Sequence, residues 1–330
     1  MDLFVIVIIA IALLFDFLNG MNDAANSIAT VVSTRVLSPR LAVAWAAFFN
    51  VVAGFGFGVA VAKTIGKGII DPNIVDPELI FAALIGAVIW THLCTRYGLP
   101  ISASHALIGG LAGAAVFRAG WDSLNFSGIN KVVMFIFFSP IIGMIVAFIL
   151  MVIVTWIFRK WNAQRVDKVF RIGQLVSSAA YSLGHGTNDA QKTMGIIAVL
   201  LYSVGYFHGQ DLYIPVWVIL AAYTAIGLGT LLGGWKVIGT MGVKLTQLKP
   251  VNGFCAEAAG SVVLLGTAMF GIPVSTTHTI AGSIMGVGAT KRLSAVRWGI
   301  VWKIVVAWIL TLPTSAVIGA FTLWLLDLLK

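Results

Sequence analysis

Long apolar runs, separated by short polar stretches, follow one another along the whole chain. The apolar segments are 3–36, 41–65, 79–97, 101–117 and 131–158 in the first half, and 172–204, 214–235, 252–271, 274–290 and 299–326 in the second. A run of about 20 apolar residues is long enough to cross the hydrocarbon core of a bilayer as a helix. The pattern therefore predicts an all-α polytopic membrane protein with about 10–12 membrane segments.

Some of these segments do not have the length of a simple span. Residues 3–36 are too many for one straight crossing at about 1.5 Å per residue, so they form either one long helix or two half-helices with a break at Gly20. The pairs 79–117 and 252–290 each consist of two apolar segments joined at a proline. Each pair forms either two full spans or a re-entrant hairpin.

Two kinds of polar motif interrupt the apolar sequence, and each occurs twice in the same order. An Asn-Asp motif runs from Gly20 to Ser27 and again from Gly186 to Thr193, and its aspartates, Asp23 and Asp189, are 166 positions apart. A Pro-x-Ser motif occupies 100–105 and 273–278, with its histidines, His105 and His278, 173 positions apart. This shared order predicts an internal duplication.

Composition and charge agree with a membrane protein. The chain is 59% hydrophobic and only 10% charged, whereas soluble domains have about 25% charged residues. Fourteen of the 21 Lys and Arg residues lie in four stretches, 35–40, 159–171, 236–249 and 291–303. Basic loops face the cytoplasm, so both termini are expected outside, as is the stretch 205–213, which has no Lys or Arg. The scattered basic residues argue against a nucleic-acid partner.

The same assignment gives the two halves opposite orientations. Residues 1–158 are predicted to form a first inverted repeat, 159–171 a basic cytoplasmic loop, and 172–330 a second inverted repeat. Inverted repeats with discontinuous helices are the architecture of many secondary transporters.

The Asn-Asp motifs offer ligands for a small cation. Carboxylates inside a membrane are costly and mark ion or proton pathways. Asn and Asp oxygens, hydroxyl groups and backbone carbonyls suit sodium, and neither sulfur ligands nor clustered histidines indicate a transition metal. The alternative is that each aspartate only caps a helix or binds a neighbour. Two matched Asn-Asp pairs favour the ion site.

The Pro-x-Ser motifs indicate helix starts, with proline near the first turn and hydroxyl residues as caps. Free backbone N–H groups and the positive end of the helix dipole hold oxyanions well. Two such starts facing each other would enclose a tetrahedral anion, although ordinary capping also explains one serine-rich start. A doubly charged anion beside two aspartates needs compensating cations, so ion coupling is expected.

These motifs resemble those of the inorganic phosphate transporter family of sodium- or proton-coupled carriers, over nearly the whole chain. The resemblance implies a symporter that imports phosphate by alternating access between the repeats, with no cofactor beyond co-transported sodium ions. It implies phosphate contacts from Ser102, Ser104, Ser275, Thr276, Thr277 and Gln191. It implies sodium ligands from Asn22, Asp23, Asn188, Asp189 and Glu257, with Asn26, Lys192, Thr193, His105 and His278 as further candidates.

Glu257 has no acidic counterpart 173 positions earlier, where Leu84 stands, so it is either a coupling residue or a protonated structural one. The resemblance also implies a multi-pass protein of the plasma membrane, and a homodimer is compatible with it. Proton-coupled phosphate carriers and sulfate permeases of the same family are the nearest alternatives. An intramembrane aspartyl protease or a passive anion channel would leave half of the repeated motifs without a role, so an enzyme is not expected.

Overall fold

The computed structural model describes residues 2–56, 58–207 and 213–330. Over these residues the chain forms twelve α-helices and only an isolated β-bridge between Ile70 and Leu124. The helices are α1 (Leu3–Ser33), α2 (Pro39–Val52), α3 (Ala60–Gly68), α4 (Pro77–Tyr97), α5 (Ala103–Ala119), α6 (Phe126–Ile157), α7 (Ala163–Ser203), α8 (Val216–Leu232), α9 (Trp235–Gly239), α10 (Pro250–Met269), α11 (Thr276–Ala289) and α12 (Trp298–Leu328). The predicted all-α class is confirmed.

The predicted membrane character is carried by long apolar helices. Within the described residues, α1, α4, α6, α10 and α12 are each long and apolar enough to cross a membrane, and α8 with its bent continuation to Lys244 makes a sixth candidate. The other helices are shorter or more polar. They account for the difference between these six and the predicted ten to twelve segments.

The helices of the two halves follow in the same order and exchange partners. Helix α5 packs on α12, and α11 packs on α6. Equivalent glycines make both contacts: a Cβ on Gly109 would meet the Leu312 carbonyl of α12, and a Cβ on Gly282 would meet the Pro140 carbonyl of α6. This reciprocal packing agrees with an internal duplication. The inverted orientation of the halves in the membrane stays a prediction.

In each of the two proline-joined pairs, the second helix is shorter than a full membrane span. Helix α5 has 17 residues and α11 has 14, which gives lengths of about 26 and 21 Å, short of the roughly 30 Å of the hydrocarbon core. The first turns of both helices are fully buried. The turns at 98–102 and 270–275 therefore bring both helix starts into the protein interior. Pro100 and Pro273 precede the caps Ser102 and Ser275 by two residues, near the first turn as predicted.

Of the two alternatives predicted for residues 3–36, the structure shows the single long helix and no break at Gly20. Helix α1 runs without interruption for 31 residues, and Gly20 lies where a Cβ would collide with the Ile226 carbonyl of α8. The glycine thus permits a close helix contact, which in sequence looks the same as a helix breaker.

The predicted loop 159–171 is mostly helix. Helix α7 begins at Ala163 and extends for 41 residues, about 60 Å. The Asn162 side chain caps it by accepting from Arg165 N at 2.7 Å, and an ion pair of 2.8 Å joins Asp167 to Arg171 one turn apart. Arginine and lysine are good helix formers, so the basic composition did not imply a loop.

Two other predicted boundaries also differ from the structure. Segment 41–65 divides into α2 and α3 around a 3₁₀ turn at Ala53–Phe55, where glycine recurs at 54, 56 and 58 and lowers helix propensity. The predicted loop 236–249 contains helical residues Trp235–Lys244, bent by 64° from α8 at Gly233, whose φ is 67°. The predicted outer loop 205–213 falls mainly on 208–212, outside the described residues.

Candidate functional site

The starts of α5 and α11 meet in the centre of the protein. Ser102 and Ser275 cap the two helices, and their hydroxyls accept from His105 N at 3.3 Å and His278 N at 3.2 Å. The rings of these two histidines are in edge contact, with centroids 4.9 Å apart. The structure therefore brings together both predicted helix starts.

Two buried carboxylates lie beside these starts. Thr276 Oγ1 is 3.1 Å from Asp23 Oδ2 and 3.0 Å from Asp189 Oδ2, and Thr277 Oγ1 is 3.1 Å from Asp23 Oδ1. Both aspartates are at most 2% exposed. A hydroxyl group donates one hydrogen, so Thr276 can satisfy only one carboxylate at a time.

Two basic side chains face the same carboxylates. Lys192 Nζ lies 2.6 Å from Asp189 Oδ1, donates to Val274 O at 3.0 Å and contacts Ser104 Oγ. His185 Nε2 lies 3.2 Å from Asp189 Oδ2 and 3.8 Å from Asp23 Oδ2. We call this group the central cluster; its members are Asp23, Ser104, His185, Asp189, Lys192, Thr276 and Thr277.

The hydrogen-bond partners of His185 determine which of its ring nitrogens carries a hydrogen. Asn50 Nδ2 donates to Thr230 Oγ1 at 2.9 Å, which leaves Asn50 Oδ1 as an acceptor 3.0 Å from His185 Nδ1. The hydrogen of a neutral ring is thus on Nδ1, and Nε2 would face a carboxylate with a lone pair. A proton or a cation must therefore lie between His185 and the aspartates.

The central cluster contains a group that can hold a cation. Asp23, His185 and Asp189 each offer one ligand atom, and these atoms lie within 4.8 Å of one another. His185 was not among the predicted site residues. Its signal in the sequence is its position four residues before Asp189, one helical turn away.

The predicted asparagine ligands each precede an aspartate in the chain, and their side-chain oxygens have no hydrogen-bond partner. Asn22 Nδ2 donates to Thr95 Oγ1 at 2.7 Å, and Asn188 Nδ2 donates to Gly184 O at 2.9 Å and Leu264 O at 3.0 Å. The Oδ1 atoms of both are buried without a hydrogen-bond partner, as is Asn26 Oδ1. Buried acceptors without donors are rare in folded proteins and are suited to binding a cation.

Glu257 lies in a separate buried network. Its carboxylate accepts from Thr30 Oγ1 and Ser177 Oγ at 2.5 Å each and from Gln174 Nε2 at 3.0 Å. None of its hydrogen bonds among the described residues reaches the central cluster. Thr30, however, follows Asp23 by seven residues on α1, so the network lies two turns farther along the same helix.

Two other predicted site residues have different surroundings. Gln191 Oε1 accepts from Val61 N at 2.9 Å and Ala62 N at 3.2 Å, so it holds the start of α3. The Thr193 hydroxyl is buried without a partner and lies near Asp16.

Asp16 is a buried carboxylate that the sequence analysis did not select. It is 0% exposed, and both of its oxygens lack a hydrogen-bond partner, as does the neighbouring Asn19 Oδ1. A lone acidic residue inside the apolar run Leu3–Phe17 was the available signal.

The chain is similar in sequence to known proteins. The sequence profile described as "Phosphate transporter family" matches residues 19–319. The chain is 55% identical over 321 residues to a protein of Rhizobium meliloti named "Probable low-affinity inorganic phosphate transporter". The aligned region covers 97% of this chain and 96% of that protein. A Bacillus subtilis protein of the same name is 45% identical, covering 98% and 97%.

A solved structure is similar over the full length. It is described as "The sodium-dependent phosphate transporter", has a TM-score of 0.92 and 26% sequence identity, and covers 100% of both chains.

Proposed function

Because the chain belongs to the phosphate transporter family, and is thus a membrane transporter and not an enzyme, we propose that it imports inorganic phosphate together with sodium ions by alternating access. One observation carries the proposal. The starts of α5 and α11 meet beside Asp23 and Asp189, so groups suited to an oxyanion adjoin groups suited to cations.

The phosphate would lie between the two helix starts. Their first turns supply backbone N–H groups and the positive ends of two helix dipoles. Hydroxyl groups surround them, and their residues are Ser102, Ser104, Ser275, Thr276 and Thr277. Gln191 would approach only through its amide nitrogen, because its carbonyl oxygen is bonded to α3.

The sodium ions would bind the carboxylates and amide oxygens of α1 and α7. Asp23 and Asp189 provide negative charge, and Asn22 and Asn188 present free Oδ1 atoms. Hard oxygen ligands of this kind suit alkali cations. The Glu257 network, two turns along α1, would be an additional sodium site on the same path.

The hydrogen bonds of Thr276 and Thr277 suggest how the two ligands are coupled. Here the Thr276 hydroxyl can donate to Asp23 or Asp189, and the Thr277 hydroxyl can donate to Asp23 or to the Ile101 carbonyl. A sodium ion at the carboxylates would take the hydroxyl oxygens as ligands and turn their hydrogens toward the anion. Phosphate therefore gains its donors only when sodium is bound.

Charge leads to the same conclusion. A doubly charged phosphate beside Asp23 and Asp189 brings about four negative charges together. Lys192 offers only one positive charge against them. Such repulsion is severe in a poorly solvated site. Bound cations reduce it, so each ligand strengthens the binding of the other.

Proton coupling is the second candidate, and His185 favours it. Its Nε2 faces the aspartates at 3.2 and 3.8 Å, and a proton would satisfy this contact as well as sodium would. Sulfate is the second candidate for the anion, since it is also tetrahedral.

Uptake of radiolabelled phosphate into proteoliposomes tests the proposal. An inward sodium gradient should drive uptake above equilibrium, and excess sulfate should not compete. Asp23→Asn should require at least about tenfold more sodium for half-maximal uptake, whereas Asp122→Asn, at an exposed position, should behave as wild type. Uptake driven by a proton gradient alone would show that protons, not sodium ions, are co-transported with phosphate. Uptake that only equilibrates phosphate would indicate a channel.

A further inference from the structure

Asn26 and Lys192 occupy equivalent places in the two Asn-Asp motifs. Each follows its aspartate by three residues on a long helix, Asn26 after Asp23 on α1 and Lys192 after Asp189 on α7. Residues three apart are neighbours on a helix surface. The two halves of the site therefore differ by one fixed positive charge at matching positions.

The contacts of Lys192 are those of a bound cation. Its ammonium group is surrounded by a carboxylate oxygen of Asp189, the hydroxyl of Ser104 and the carbonyl of Val274. An ammonium has three hydrogens, and these three acceptors use them all. The side chain is 1% exposed, so water contributes little to its coordination.

The Asp23 half has no such charge among the described residues. Asn26 Nδ2 donates to Thr277 Oγ1 at 3.0 Å, and Asp23 forms no ion pair with Lys or Arg there. Its nearest basic group is His185 Nε2 at 3.8 Å. The oxygens Asn22 Oδ1 and Asn26 Oδ1 are buried without partners, so this half has acceptors that remain available to a mobile cation.

We propose that the Lys192 ammonium is a built-in cation that replaces a co-transported sodium ion at Asp189. The chain then carries one sodium ion fewer per phosphate than it would with asparagine at both positions. This inference rests on the proposed sodium coupling. It narrows the proposed sodium site to the Asp23 half, because the Lys192 ammonium takes the place of sodium at Asp189. Lys192 is then the residue that sets the ion stoichiometry.

A tethered cation has a consequence for the work the transporter can do. Each sodium ion that moves with phosphate contributes its own gradient to the accumulation of phosphate. Lys192 compensates charge at Asp189 but stays with the protein, so it adds no driving force. The site thereby works at lower sodium concentration and concentrates phosphate less steeply.

The test compares sodium and phosphate fluxes in the same proteoliposomes. The variants are Lys192→Asn, which copies the Asn26 half, Lys192→Arg, which keeps the charge, and Lys160→Asn, which removes an exposed lysine elsewhere. Initial ²²Na and ³²P uptake gives the ratio of the two ions. The ratio should rise by one in Lys192→Asn and stay at the wild-type value in the other two variants.

The outcomes separate this inference from the proposed function. An unchanged, non-zero ratio in an active Lys192→Asn variant overturns the role of Lys192 but leaves sodium coupling intact. A ratio of zero in wild type that becomes one in Lys192→Asn supports the tethered cation and contradicts sodium coupling of the native chain. A ratio of zero in both contradicts both statements.

If Lys192→Asn folds but does not transport, a binding measurement still tests the inference. Equilibrium dialysis of the purified protein with ²²Na counts bound ions directly. Lys192→Asn should bind one more sodium ion per chain than wild type or Lys160→Asn. An equal count would overturn the inference.

Discussion

Asp23 and Asp189, 166 positions apart in the chain, share the hydroxyl group of one side chain. Thr276 Oγ1 lies 3.1 Å from one carboxylate and 3.0 Å from the other. The start of α11 is thereby attached to both long helices, α1 and α7. A ligand that changes the partner of this hydroxyl acts on three helices together.

Removing the Thr276 hydroxyl should weaken phosphate transport. Thr276→Val keeps the shape of the side chain but loses a hydrogen bond to a charged group, worth about 1.5–3 kcal/mol. The phosphate concentration for half-maximal uptake should rise about tenfold or more at saturating sodium. Thr276→Ser retains the hydroxyl and should stay near wild type. Equal values for the valine variant and wild type would remove Thr276 from the site.

Replacing Asp16 by asparagine should stabilise the protein in sodium-free buffer at neutral pH. A buried carboxylate whose oxygens accept no hydrogen bond is costly, and an amide of the same shape has no charge. The gain should be about 1–3 kcal/mol, seen as a higher Tm in detergent. Asp122→Asn, at an exposed position, should not change the Tm. A lower Tm for Asp16→Asn would mean that the carboxylate has a stabilising partner.

Enlarging Gly282 should destabilise the fold at the contact between α11 and α6. A Cβ there would collide with the Pro140 carbonyl, and overpacking costs about 1–3 kcal/mol. Gly282→Val should therefore lower the Tm. Gly266→Val is the matched control, since a Cβ at Gly266 meets no atom within 4 Å. Equal Tm values for the two variants would contradict the close helix contact.

Single cysteines can test the inverted orientation of the repeats. Asp122 and Ser294 follow α5 and α11 at nearly equivalent positions, and both are exposed. An impermeant maleimide applied from outside should label Asp122→Cys but not Ser294→Cys in intact cells. The native Cys94 and Cys255 are buried and should remain unlabelled. Labelling of both introduced cysteines from the same side would contradict the inverted repeats.

Much of the site could be predicted because both of its motifs occur twice in the sequence. The two Pro-x-Ser motifs indicate helix starts by local capping chemistry, and the duplication implies that the two starts occupy equivalent positions. Local chemistry also explains the N-cap roles of Ser102 and Ser275. Fold class followed from apolar runs alone, since the bilayer admits few structures.

Contacts across the fold could not be predicted in the same way. The ion pair of Lys192 with Asp189 lies within one helical turn, but its contacts with Ser104 and Val274 depend on how three segments pack. Gly20 illustrates a different limit. A glycine can either break a helix or allow another helix to pack closely against it. At Gly20 the position of Ile226 on α8 shows that close packing is the reason for the glycine.

The central claim is that cations and phosphate bind together at the cluster of Asp23 and Asp189. The most direct measurement is equilibrium dialysis of the purified protein with ³²P-phosphate at fixed pH and ionic strength, in sodium and then in choline. Phosphate should bind at least about tenfold more tightly in sodium, and saturating phosphate should tighten sodium binding by the same factor. Equal phosphate affinity in the two salts would contradict the claim.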